Sequence, residues 1–166
     1  IVRKVLMGLI SVNSSTPSES ILEIMQSGVQ EAHRAILKEI PGGGTTLTAI
    51  LIIGNQVTIA HVGDSRAYSI DPDGATHVLT NDHSLVNKLV ELGQLTTEEA
   101  ALHPQRNVLY RALGQGEPFD ADVEILPLAP DSQIFICSDG LWGQVPDTEI
   151  SRIIRENPSP QEACQQ

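Results

Sequence analysis

The sequence has little cysteine, few basic residues and no long uncharged apolar run, and each shortage removes a class of protein. Two cysteines in 166 residues, Cys137 and Cys164, give no disulfide framework. Cys137 lies in an apolar run and reads as a small buried residue, and the setting as reducing and cytoplasmic. No stretch approaches the ~20 apolar residues that cross a bilayer, and the opening IVRKVLMGLI is too short and wrongly flanked. The chain is therefore read as soluble, with no membrane span. Ten basic residues stand against 21 acidic ones, a net charge of −11. Such a field disfavours nucleic acid and favours divalent cations as guests. The five histidines, at 33, 61, 77, 83 and 103, lack HExxH or similar ligand spacing and read as surface or hydrogen-bonded core residues.

What is present is an ordinary globular composition, 40% hydrophobic, enough for one domain with a sizeable core. Both ends read as cut. The chain starts at Ile1, partway into an expected helix. Ser159-Pro160-Gln161-Glu162 is a capping box with proline at the first helical position, yet the chain stops at Gln166. Residues 1–166 are expected to be a single partial domain.

Thr16-Pro17-Ser18-Glu19 is a second capping box, followed by an apolar stripe at Ile21, Met25, Val29, Ala32, Ile36 and Ile40. The spacing predicts an amphipathic helix packed on a sheet. TTLTAILII, QVTIAHV and AYSI predict an antiparallel meander leading to ATHVLT, with turns at Gly54-Asn55 and at Asp71-Pro72-Asp73-Gly74. The first of these lacks clean alternation and is expected to be covered on both faces. Residues 80–114 turn polar and helical, a solvent-facing excursion with helices ending at Gly93 and near His103-Pro104. VEILPL and SQIFICS return to strand, and a helix follows Pro146-Asp147.

Candidate chemistry centres on HVGDSR, residues 61–66. Ser65 lies in a stretch close to the G-x-S-x-G elbow of serine hydrolases, but that elbow needs strand, turn, then helix, and here a strand follows. Asp64 has a counterpart in Asp139 of CSDG, which also ends an apolar strand. Two carboxylates at strand ends suit one hard cation; the plainer alternative is a pair of turns. Cys137 is no phosphatase nucleophile, because the arginine that chemistry wants six positions on is Gly143. Gly42-Gly43-Gly44-Thr45-Thr46 lacks the lysine of a phosphate loop and precedes a strand, so close backbone packing or a tight turn is its expected use. Asp82 either caps the next helix or serves a site with His83. Leu141 and Trp142 read as a hydrophobic plug under the Asp139-Gly140 turn.

In order, GGGTTLTAILI, VTIAHVGDSRAYSI, LTNDHSLVNKLVELGQLTTEEAALHPQRNVLYRALG and IFICSDGLWGQVPDTEI closely resemble motifs of the PP2C (PPM) family of metal-dependent protein serine/threonine phosphatases, above all its bacterial members. The resemblance implies an α+β fold, an α-β-β-α sandwich of two antiparallel sheets flanked by helices, here incomplete. It implies two Mn²⁺ or Mg²⁺ ions, with a third in bacterial members, and a bridging water that attacks phosphorus in line. Asp139 matches a ligand of the binuclear centre, and Asp64 a ligand of the third ion. Residues 82–111 match the flap that influences substrate access, with Asp82, His83, Arg106, Asn107 and Arg111. Gly44, Thr45, Thr46, Gly63, Ser65, Arg66, Ser138 and Gly140 match structural motif positions, Ser65 and Arg66 as turn residues. Phosphorylated serine/threonine proteins and a cognate kinase are the implied partners.

Two family motifs have no counterpart in the sequence: an upstream Asp-Gly-x-Gly-Gly segment with its phosphate-binding arginine, and a downstream Asp-Asn. One or two carboxylates hold a binuclear centre weakly, so the chain as given is expected to be weak or inactive, with exposed sheet edges. A pseudophosphatase or regulatory module of the same fold, or a serine hydrolase using Ser65, are the alternatives.

Overall fold

The computed structural model describes residues 18–157 and 159–166. The expected helix at the start and the Thr16-Pro17 cap lie outside the described residues. Helix α1 (Ser18–Glu39) is amphipathic as its spacing predicts. Ile21, Met25, Val29 and Ala32 are all buried, and Ile36 packs beside them. Ile40 is 61% exposed, because the helix has ended at Glu39 and the stripe ends with it.

Among the described residues, two three-stranded antiparallel sheets follow. The first has the order β1 (Leu47–Ile53), β2 (Gln56–Val62), β5 (Asp122–Pro127). The second has the order β4 (Thr76–Val78), β3 (Arg66–Ile70), β6 (Gln133–Cys137). The expected meander is thus divided: β1 pairs β2, but β3 belongs to the other sheet, and residues 63–65 carry the chain across.

Alternation assigns the faces of the first sheet. Ala60 and Val62 join Met25, Val29 and Ala32 in the core, so one face of β2 meets α1. Val57, Ile59 and His61 point the opposite way and are also buried, each no more than 1% exposed. The strand covered on both faces is therefore β2 rather than the expected β1, which lies at an edge among the described residues and is only half-buried. A central strand gains a neighbour on each side, and the hydrophobic content of β1 does not reveal that it has one.

Helices α2 (Leu85–Glu91) and α3 (Thr97–Leu102) form the polar excursion. Short helix α4 (Asp139–Trp142) follows β6, then α5 (Asp147–Glu156) and α6 (Pro160–Ala163). Helix α5 is tied to the second sheet by Tyr68 Oη donating to Asp147 and Thr76 Oγ1 donating to Ser151. Ser159 caps α6 as its box predicts. Arg152 pairs with Glu149 and Glu156 on the exposed side of α5. Cys137 is half-buried rather than buried, since β6 is an edge strand among the described residues. No described helix is long and apolar enough to cross a membrane.

Candidate functional site

Strand register brings the two candidate carboxylates together. In the β3–β6 pair Arg66 lies opposite Cys137. Asp64 is two residues before Arg66 and Asp139 two after Cys137, so in an antiparallel pair they emerge side by side past the strand ends. Asp64 is half-buried and Asp139 is exposed at the first position of α4. Burial first, then the negative charges of Asp139 and Asp82, push the Asp64 carboxyl above its ordinary value.

The turn between the sheets is fixed from several sides. Gly63 has φ +112°, and a Cβ there would overlap the Thr46 side chain, so the position requires glycine twice over. Ser65 Oγ and Thr46 Oγ1 are 3.0 Å apart, and Thr48 Oγ1 donates to the Ser65 carbonyl at 3.0 Å. The partner of the Ser65 hydroxyl is thus another hydroxyl, which is no base. Thr45 exchanges backbone hydrogen bonds with Leu113 at 3.1 and 2.9 Å, pinning the glycine segment that ends at Gly44 to the end of the excursion.

Arg66 is not a turn residue. It opens β3 and bonds Asp82 through Nε at 3.0 Å and Nη2 at 2.7 Å. The bonds to Asp82 outweigh its burial and raise its pKa, so the guanidinium is charged throughout. Its carbon lies 3.7 Å from the Trp142 ring centroid, a cation–π contact. Trp142 Nε1 donates to the Asp64 carbonyl at 2.9 Å. Trp142 therefore braces the turn, while Leu141, 36% exposed, lies along an open apolar groove with Ile134, Phe135 and Ile150.

Asp82 does not cap α2; Ser84 does, accepting the Asn87 N–H at 3.2 Å, while Asp82 is turned to Arg66. The cap sits two residues later because the chain must first pass His83 between the sheets. His83 is 1% exposed and accepts the Gly63 N–H on Nδ1. Its Nε2 then carries the proton and donates to Asp122 at 2.9 Å. Arg111 bonds the other Asp122 oxygen at 2.7 Å. Burial raises the Asp122 carboxyl, but the His83 hydrogen bond and the Arg111 charge together hold it below its ordinary value. His61, opposite Asp122 in the β2–β5 register, sits 4.9 Å from His83 ring to ring.

Arg106 and Asn107 are exposed in the turn at 104–107, and no described contact joins them to Asp64 or Asp139. Ser138 and Gly140, flanking Asp139, are exposed; Ser138 occupies the α4 cap position without a side-chain bond. Sequence reasoning missed the roles of Trp142 and Asp122. An indole N–H beside an acidic turn was a usable signal, because such donors find partners. Asp122 gave none, since its value depends on a pairing with His61, far away in sequence.

Two crowded carboxylates suit a hard divalent cation chemically, as Mg²⁺ is commonly held by one or two carboxylates with water and phosphate oxygens. Among the described residues no group of three or more His, Cys, Asp or Glu converges, so the pair stands without a third such donor there.

Residues 3–166 match the family model described as protein phosphatase 2C. The chain is 37% identical over 144 residues to a serine/threonine phosphatase of Listeria monocytogenes serotype 4b, covering 83% of this chain and 57% of that protein. It thus spans little more than half the length of that relative. The serine/threonine phosphatase PstP of Mycobacterium tuberculosis superposes with TM-score 0.79 at 29% identity, over 98% of this chain and 71% of that one. The catalytic domain of PstP in complex with two manganese ions superposes with TM-score 0.75 at 29% identity, over 98% and 70%.

Proposed function

The chain belongs to the protein phosphatase 2C family, and from that membership we propose that the protein hydrolyses phosphoserine and phosphothreonine in proteins with a divalent cation. The observation that supports this most is the convergence of Asp64 and Asp139 past the ends of paired strands. Both sit where a like-charge clash is relieved by a bound cation. A manganese or magnesium ion supplies Lewis acidity and lowers the pKa of its bound water toward neutrality. Asp139, at the start of α4, would serve the binuclear centre, and Asp64, in the crossing turn, would join it at a third ion. Ser65 takes no covalent part, since its hydroxyl is committed to Thr46.

The excursion over residues 80–114 is the flap beside this site. Asp82 and His83 fix its root, Arg111 clamps its return to β5, and Arg106 and Asn107 stand exposed on it to meet a phosphoprotein. The partners are phosphorylated proteins and a cognate kinase, in the cytoplasm.

The test is to assay the full-length protein on p-nitrophenyl phosphate and a phosphothreonine peptide, with Mn²⁺ and with EDTA, beside Asp139→Asn and Ser65→Ala. Expected is Mn²⁺-dependent turnover that Asp139→Asn abolishes and Ser65→Ala keeps. Turnover indifferent to EDTA and lost in Ser65→Ala overturns the reading. Mn²⁺ binding without turnover would make the protein a pseudophosphatase.

A further inference from the structure

Three segments meet at the Arg66 guanidinium. Its edge grips Asp82, whose side chain is 8% exposed, at the root of the excursion. Its face lies 3.7 Å from the centroid of Trp142, at the end of α4. The Trp142 indole in turn donates to the backbone carbonyl of Asp64. Asp64 and Asp139 stand at the two ends of this chain of contacts. One is two residues before Arg66; the other opens the helix that Trp142 closes.

Like charges set side by side move apart unless their backbones are held. Asp64 and Asp139 lie at matching offsets from the paired residues Arg66 and Cys137, so two carboxylates leave neighbouring strand ends together. The stacked and forked arginine supplies a restraint from both directions at once. A planar guanidinium can lay its face on an indole while its edge takes a carboxylate by two bonds; a lysine ammonium cannot do both.

We propose that Arg66 is a positioning residue for the cation site: stacked on Trp142 and forked to Asp82, it holds Asp64 and Asp139 at a cation-binding separation. It thereby sets the affinity of the pair for manganese or magnesium without touching the ion. The proposal rests on the reading that this pair binds a divalent cation. It also makes the excursion's root part of the same device, since displacing Asp82 frees the arginine.

The experiment uses the full-length protein, with terbium(III) as an oxygen-seeking probe whose luminescence a nearby indole sensitises. Trp142→Phe identifies the share of the signal due to Trp142, the one tryptophan of this chain. Arg66→Lys is expected to weaken terbium binding about tenfold or more, the scale of loss when an outer partner of a metal ligand is changed. The Mn²⁺ concentration for half-maximal activity should rise by a like factor, while kcat at saturating Mn²⁺ stays within about threefold. Asp82→Asn, nearly isosteric, should show the same pattern and serves where Arg66→Lys does not fold. Lowered stability with unchanged terbium and Mn²⁺ affinities in the folded variant would overturn the proposal and reduce Arg66 to a brace. A wild-type protein that binds neither ion overturns the cation reading itself, a distinct result.

Discussion

The backbone N–H of Gly63 donates to Nδ1 of His83 across 3.1 Å. That bond decides the tautomer, because an accepting Nδ1 leaves the proton on Nε2, where Asp122 takes it at 2.9 Å. The approach of Arg111 Nη1 to Nε2 at 3.3 Å is then a contact between two donors, both committed to Asp122. One imidazole thus joins the crossing turn, the excursion and β5, so the position of the turn that carries Asp64 is set from the interior.

Replacing His83 with alanine should therefore cost more than its volume. The Gly63 N–H loses its acceptor in a buried place, a penalty of about 1–3 kcal/mol, before the cavity is counted. Urea unfolding of His83→Ala is expected to show a loss of at least that size. His83→Asn, whose side-chain oxygen can accept the Gly63 N–H, should recover part of it. Equal losses in the two variants would show that the bond contributes little.

His61 gives the fold a dependence on pH. Burial first, then the closeness of a second imidazole at His83, hold its pKa below 6.5. The unfolded chain therefore takes up a proton near pH 6.5 that the folded chain refuses until lower pH, and stability falls as pH drops through that window. Urea midpoints measured from pH 7.5 to 5.0 should decline below about pH 6.5, and the decline should shrink in His61→Gln. An unchanged decline in the variant would assign it to another group.

Much of this was legible before any coordinates. The stripe on α1, the cap at Ser159 and the turn at Gly54 are local signals, settled within a few residues. So were the two aspartates, each marked by an apolar strand followed by Asp. The illegible part is what pairing decides. Nothing in AYSI says that it leaves the first sheet, and nothing near Asp82 says that its partner is Arg66 rather than a helix terminus. The face-sharing of His61 and Asp122 likewise arises only when β2 meets β5.

The difference between central and edge strands makes a direct comparison. Ile59 is 1% exposed on β2 and Ile52 is 49% exposed on β1. Ile59→Ala should destabilise by about 2–5 kcal/mol, the range for emptying a packed core position. Ile52→Ala should lie within about 0.5 kcal/mol of the parent chain. Comparable losses at both positions would mean that β1 is covered in solution by something further.

The carboxylate pair should show a trade between stability and binding. With Asp64 raised by burial and by Asp139, the folded chain holds the Asp64 proton more tightly than the unfolded chain does. Its ionisation therefore weakens the metal-free fold as pH rises above the ordinary aspartate value of about 3.8. Asp64→Asn removes that cost, so at pH 7 in EDTA the variant should melt higher than the parent chain. Adding Mn²⁺ should reverse the order, because a ligand that binds only the folded state raises its stability with concentration. Thermal melts of both chains across an Mn²⁺ series are the measurement. A parent chain that melts higher than Asp64→Asn even in EDTA would show that Asp64 is held by favourable bonds of its own, leaving no crowded pair for a cation to relieve.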